Sequence, residues 1–140
     1  MMQHLRSGVS DLVQQELDRV SEEKGAEYHS LHEAYAIMLE EFQEADEELQ
    51  ALKTNNGLLW RAVRKDHTEL ARAVADHSLQ IAVNLACEAI QVAQVARKIL
   101  HTCDKMIREE VANETTTQKP DCDSVHHRSL TASRAETRKC

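Results

Sequence analysis

The chain has 140 residues, a formal charge of −7, three glycines, one proline, and only one Trp, two Tyr and one Phe. That length supports one modest core. The scarcity of breakers argues against a turn-rich β fold, and the negative charge argues against a general binder of nucleic-acid polymers, which needs a basic face. A core built mainly from Leu, Ile, Val, Ala and Met suits close-packed helices, so the expected class is all-α, an antiparallel bundle of about four helices.

In chain order, residues 1–9 are expected to be loose. A first helix should run from Ser10, an N-cap with Asp11 in the first turn, to about Lys24, with Gly25 past its end. Its apolar positions are Leu12, Val13, Leu17 and Val20. A second helix should start at Ser30, which with Glu33 reads as a capping box. It should end near Lys53, because Thr54-Asn55-Asn56-Gly57 is the clearest turn signal in the chain. Leu31, Ala34, Tyr35, Met38, Phe42, Ala45, Leu49 and Leu52 form its apolar face, which puts Tyr35 in the core.

Leu58 to Glu110 contains neither Gly nor Pro. It reads as one segment to about Ala75 and another from about Ser78, with Asp76-His77-Ser78 either a break or an uninterrupted stretch of helix. The helical domain is therefore expected over residues 10–111. Residues 112–140, rich in Thr, Ser, Asp, Arg and Lys, should form a flexible polar tail.

Cys87, Cys103, Cys122 and Cys140 form no CxxC pair and read as free thiols in a reducing compartment. The N-terminus lacks the regions of a signal peptide. No segment reads as the roughly 20 apolar residues of a membrane span. The expected location is the cytoplasm, with no membrane partner.

The chemistry concentrates in the second helix. From Gly25 to Leu52 there is no Lys or Arg, yet the stretch holds Glu27, Glu33, Glu40, Glu41, Glu44, Asp46, Glu47 and Glu48. Surface helices usually mix signs, because like charges at i,i+4 repel. At about 100° per residue, Glu33, Glu41, Glu44 and Glu48 share one side of the helix and border its apolar stripe. Glu88 lies within the apolar face of the last helix, flanked by Asn84 and Gln91. An unpaired carboxylate there would be costly unless neutralised, and a cation would neutralise it. If the two helices pack side by side, Glu41, Glu44 and Glu88 form an oxygen-lined site suited to Mg²⁺ or Mn²⁺. The bland alternative is a solvated acidic helix with Glu88 at the rim of its face.

The stretch His32-Glu33-Ala34-Tyr35-Ala36-Ile37-Met38-Leu39-Glu40-Glu41-Phe42-Gln43-Glu44 resembles the HEGYAVILEELDE stretch of phage and prophage MazG-like proteins. Glu88-Ala89-Ile90-Gln91-Val92-Ala93 resembles their second stretch, E-x-x-Q-V-A-A. These proteins belong to the all-α nucleoside triphosphate pyrophosphohydrolase superfamily. The resemblance covers roughly residues 10–110. It implies a homo-oligomeric helical bundle, a dimer or tetramer. It also implies Mg²⁺-dependent cleavage of a (d)NTP to a monophosphate and pyrophosphate. The superfamily pattern, EExxE followed by ExxD, maps onto Glu40, Glu41 and Glu44, then Glu88 and Gln91. Gln91 departs from the pattern, since a neutral amide oxygen binds Mg²⁺ more weakly than an Asp. This leaves a non-catalytic nucleotide-binding or assembly protein as the second reading.

The roles that follow place Glu41, Glu44, Glu88 and Gln91 around the cation and Glu40 as acceptor of the attacking water's proton. Lys98 falls on the Gln91 side of its helix, where it is either a phosphate contact or an ordinary solvated lysine. Trp60 is a candidate for the base pocket or an interface. His29 and His32, beside Glu33, read as a helix entry before a transition-metal site. The tail string Asp121-Cys122-Asp123-Ser124-Val125-His126-His127 lacks zinc-site spacing.

Overall fold

The computed structural model of the chain describes residues 2–117, with side chains to 114. It contains three helices, α1 (Met2–Lys24), α2 (Leu31–Val63) and α3 (Thr68–Thr117). At 1.5 Å per residue α3 is about 75 Å long, and it is the spine of the structure. α2 folds back along it as a long hairpin, and α1 packs on α3 alone, its backbone staying clear of α2.

The all-helical class is as expected, but among the described residues there are three helices rather than four, and each altered boundary has an identifiable cause. α1 starts at Met2 instead of Ser10. Leu5, Val9 and Leu12 continue the helical spacing upstream, and Ser10 sits mid-helix, its hydroxyl accepting from Arg97 Nη2 at 3.5 Å. The other end is as read: Gly25 adopts φ 82°, where a side chain would be strained, and its amide donates to Ser21 O at 2.9 Å.

The entry to α2 is also as read. Ser30 is extended, and its Oγ accepts the Glu33 amide at 3.1 Å. Glu33 reaches back to the His29 amide at 2.8 Å, one residue further out than in the usual capping box. The turn expected at Thr54–Gly57 does not form. Asn55 is buried, and its Nδ2 faces His77 Nδ1 at 3.1 Å and Ser78 Oγ at 3.3 Å on α3. Thr54 Oγ1 donates to Gln50 O within α2 at 3.0 Å. A turn would break this polar layer, so tertiary contact overrides local propensity.

His77 and Ser78 are thereby held inside an unbroken α3. The reversal falls instead at residues 64–67. Asp66 takes φ 48°, a conformation Asp tolerates, and His67 Nδ1 accepts the Leu70 amide at 3.2 Å, capping α3. α3 continues to Thr117, so the start of the expected tail is helical. The remainder, with Cys122, Cys140 and the Asp121–His127 string, lies outside the described residues.

The core is small. Tyr28, Ala34 and Val95 pack with Ile37, Met38 and Ile99 where the α1–α2 connector crosses α3. Tyr35, expected inside, is 67% exposed, as are Phe42 and Trp60 at 61% each. Contrary to the sequence reading, α3 is long and apolar enough, by length and composition, to cross a membrane. Its apolar run also carries Glu88, Gln91 and Gln94, and it is the helix on which α1 and α2 dock.

Candidate metal centre and cleft

Because α1 and α2 both pack on α3 without meeting, a cleft opens between them with α3 as its floor. It measures about 370 Å³. α1 contributes Arg19, Val20 and Lys24, the connector Glu27 and Tyr28, α2 Glu33, Ile37, Glu41 and Glu44, and α3 Glu88, Gln91, Gln94, Val95 and Lys98.

Glu41 and Glu44, one turn apart on α2, meet Glu88 of α3 so that one carboxylate oxygen from each lies within 4.8 Å of the others. Carboxylate oxygens gathered this closely can turn inward onto a single divalent cation, which takes its oxygen ligands at about 2.0–2.6 Å. Glu41 and Glu88 are half-buried and Glu44 is exposed. Burial pushes the Glu41 carboxyl above its ordinary value, and the charges of Glu44, Glu88 and Glu40 add to this, with Lys24 opposing. Glu88 is raised by burial, by the charges of Glu44 and Glu48, and by a hydrogen bond with Glu44. Crowded carboxylates of this kind are what a divalent cation relieves.

The remaining expected site residues divide. Gln91 lines the cleft, but its Nε2 donates to Glu16 Oε1 at 2.9 Å. Glu16 in turn accepts from Arg19 at 2.6 Å, and the guanidinium, with burial opposing and Gln91 helping, holds its carboxyl down at about 2. Arg19 also bridges Glu23 at 2.9 Å. Lys98 lines the cleft and is 2% exposed, so it is not the ordinary solvated lysine. Glu40 is exposed and outside the cleft lining, although its charge reaches Glu41. Trp60 is exposed and also outside it. Among the described residues, His29, His32 and Glu33 do not bring three donors together.

Sequence reasoning missed Tyr28 and Gln94. The Tyr28 amide donates to Thr102 Oγ1 at 3.1 Å, the Glu27 carboxylate bridges Lys105 at 2.6 Å, and these ties lay the connector onto α3. The Tyr28 ring then covers Lys98 Nζ at 4.6 Å from its centroid. Gln94 lies three residues after Gln91 and four before Lys98. The run of polar residues at 88, 91, 94 and 98 along an otherwise apolar face was the available signal.

No protein-family model matches the chain, and no curated protein or solved structure matches it either, so its function rests on the cleft and on the motifs that line it.

Proposed function

We propose that the protein is a Mg²⁺-dependent nucleoside triphosphate pyrophosphohydrolase, with Mn²⁺ as a substitute. The observation that carries this reading is the convergence of Glu41, Glu44 and Glu88 in a cleft that also holds a buried lysine. The MazG-like resemblance of the two stretches bearing those residues supports it.

In this reading the three carboxylates hold the cation, which when bound offsets phosphate charge and lowers the pKa of a water. Lys98 faces a phosphate from the cleft floor. A carboxylate of the cluster accepts the attacking water's proton. Glu44 suits that role better than Glu40, because it lines the cleft and Glu40 does not. The cytoplasm remains the proposed location.

The protein acts as a homo-oligomer in this reading. Tyr35, Phe42 and Leu49, seven residues apart on α2, and Leu79, Val83, Leu100 and Ile107 on α3 are exposed apolar side chains. Repeats at such spacing pair helices between chains.

The test is pyrophosphate release from a panel of NTPs and dNTPs with Mg²⁺ or Mn²⁺, run beside Glu41→Gln and Glu88→Gln. Turnover that falls roughly 100-fold or more in both variants supports the reading. A folded protein that turns over no nucleotide overturns it. The second reading, a non-catalytic nucleotide-binding or assembly protein, is favoured by Gln91. It stands where the superfamily pattern has Asp, and its amide is engaged by Glu16.

A further inference from the structure

Beside the carboxylates, the cleft floor carries a buried amide donor without a hydrogen-bond partner and a buried lysine without a counter-ion among the described residues. Gln94 is 2% exposed, and its Nε2 has no hydrogen-bond partner among the described residues. Lys98, one helical turn along, is equally buried. No carboxylate lies within ion-pair distance of its ammonium among the described residues, and its near neighbour is the Tyr28 ring. Both side chains line the cleft that contains Glu41, Glu44 and Glu88. Buried donors are normally paired, because leaving one unmade forfeits its hydration without return.

We propose that Gln94 and Lys98 form a donor pair that binds one phosphate group of a ligand whose metal-chelating part sits at Glu41, Glu44 and Glu88. This deepens the functional reading above and rests on its cation site.

The chemistry narrows the ligand. A neutral carbonyl would satisfy Gln94 but leave the Lys98 charge uncompensated. An anionic oxygen satisfies both. Burial already pushes the Lys98 ammonium below its ordinary pKa, opposed by the charge of Glu33, and a bound anion would reverse that push. Arg19 is not a competing anion site, because Glu16 and Glu23 occupy its guanidinium. An oxyanion that also chelates a divalent cation matches both ends of the cleft, and a di- or triphosphate does so with neighbouring groups. The Tyr28 ring covers one side of the Lys98 ammonium.

Calorimetric titration of the full chain separates this proposal from the catalytic one. Mn²⁺ is titrated alone, and inorganic pyrophosphate is then titrated with Mn²⁺ present, for the parent, Lys98→Met and Gln94→Leu. Both substitutions place an apolar group of similar size in a buried position, and thermal unfolding reports whether they fold. The expected result is unchanged Mn²⁺ binding in both variants, with pyrophosphate affinity reduced roughly tenfold or more in Lys98→Met and several-fold in Gln94→Leu. Pyrophosphate binding that matches the parent in both folded variants overturns the donor pair while leaving the cation site standing. If Mn²⁺ does not bind the parent, the cation site falls. Pyrophosphate titrated in EDTA then decides the pair alone: binding that Lys98→Met abolishes supports it, and no binding overturns it. Citrate that binds with the same Lys98 dependence would overturn the assignment to phosphate. A non-hydrolysable nucleoside triphosphate that binds more tightly than pyrophosphate, with the same Lys98 dependence, assigns the group to a nucleotide; equal affinity assigns it to pyrophosphate itself.

Discussion

The Lys98 ammonium lies 4.6 Å from the centre of the Tyr28 ring, and that contact closes the floor of the cleft against the connector between α1 and α2. A ring face attracts a cation, by about 2 kcal/mol when both are desolvated, but it is a weak substitute for water or a carboxylate. The depressed Lys98 pKa has a definite consequence for stability. Below the folded-state pKa the ammonium is charged in both folded and unfolded chains, and its burial cost is present in full. Between that pKa and 10.5 the unfolded chain holds the extra proton, so this group's contribution to stability rises with pH.

Lys98→Met should therefore raise the unfolding temperature of the ligand-free protein at pH 7, by about 2 °C or more. Thermal unfolding followed by circular dichroism measures it. A fall in unfolding temperature would show that the Tyr28 contact outweighs the desolvation of the ammonium.

The acidic cluster behaves in the opposite sense to Glu16. Glu41 and Glu88 have raised folded-state pKa values, so their ionisation costs stability above those values, and the cost disappears as pH falls toward 4.5. Glu88→Gln should then unfold at a higher temperature than the parent at pH 7. It should also lose most of the stabilisation that Mg²⁺ or Mn²⁺ gives the parent, which is about 2.7 kcal/mol at a hundredfold excess over Kd. Unfolding curves with and without the cation, at pH 7 and pH 5, test both halves, and the cation effect should shrink at the lower pH.

Glu16 has a folded-state pKa of about 2, below its ordinary 4.5, so it contributes stability above pH 4.5 that is lost as pH falls toward 2. Glu16→Gln should reduce the acid sensitivity of the fold across that window, measured as a flatter dependence of unfolding temperature on pH. Glu16→Leu, which removes the acceptor altogether, should free the Gln91 amide from its 2.9 Å bond, so Mn²⁺ affinity measured in that variant reports whether Gln91 contributes to the cation site.

Gly57 sits inside α2, where a Cβ would meet nothing within 4 Å. Gly57→Ala should stabilise the protein by about 0.5–1 kcal/mol in denaturant unfolding, because it lowers the backbone entropy lost in forming the helix. Gly25→Ala should do the reverse by about 1 kcal/mol, since φ 82° is strained for any residue with a side chain. Equal effects at the two glycines would contradict the assigned helix ends.

Sequence alone determined the helical class, the entry of α2 and the end of α1, because each depends on short-range physics. Apolar spacing, Ser30 with Glu33, and Gly25 act within a few residues of themselves. The pairing of Glu41 and Glu44 with Glu88 was legible as well, since three carboxylates bordering apolar faces demand a common solution. What sequence could not decide depends on contacts between residues far apart in the chain. Asn55 keeps α2 helical through a turn signal only because His77 and Ser78 wait on α3, and that shared layer moves the reversal to Asp66. Lys98 reads as solvated until Tyr28, tied down by Thr102, covers it. The cleft itself is wholly tertiary: it exists because α1 and α2 each find α3 and never each other, which leaves Gln94 and Lys98 at the bottom of a gap that no local pattern describes.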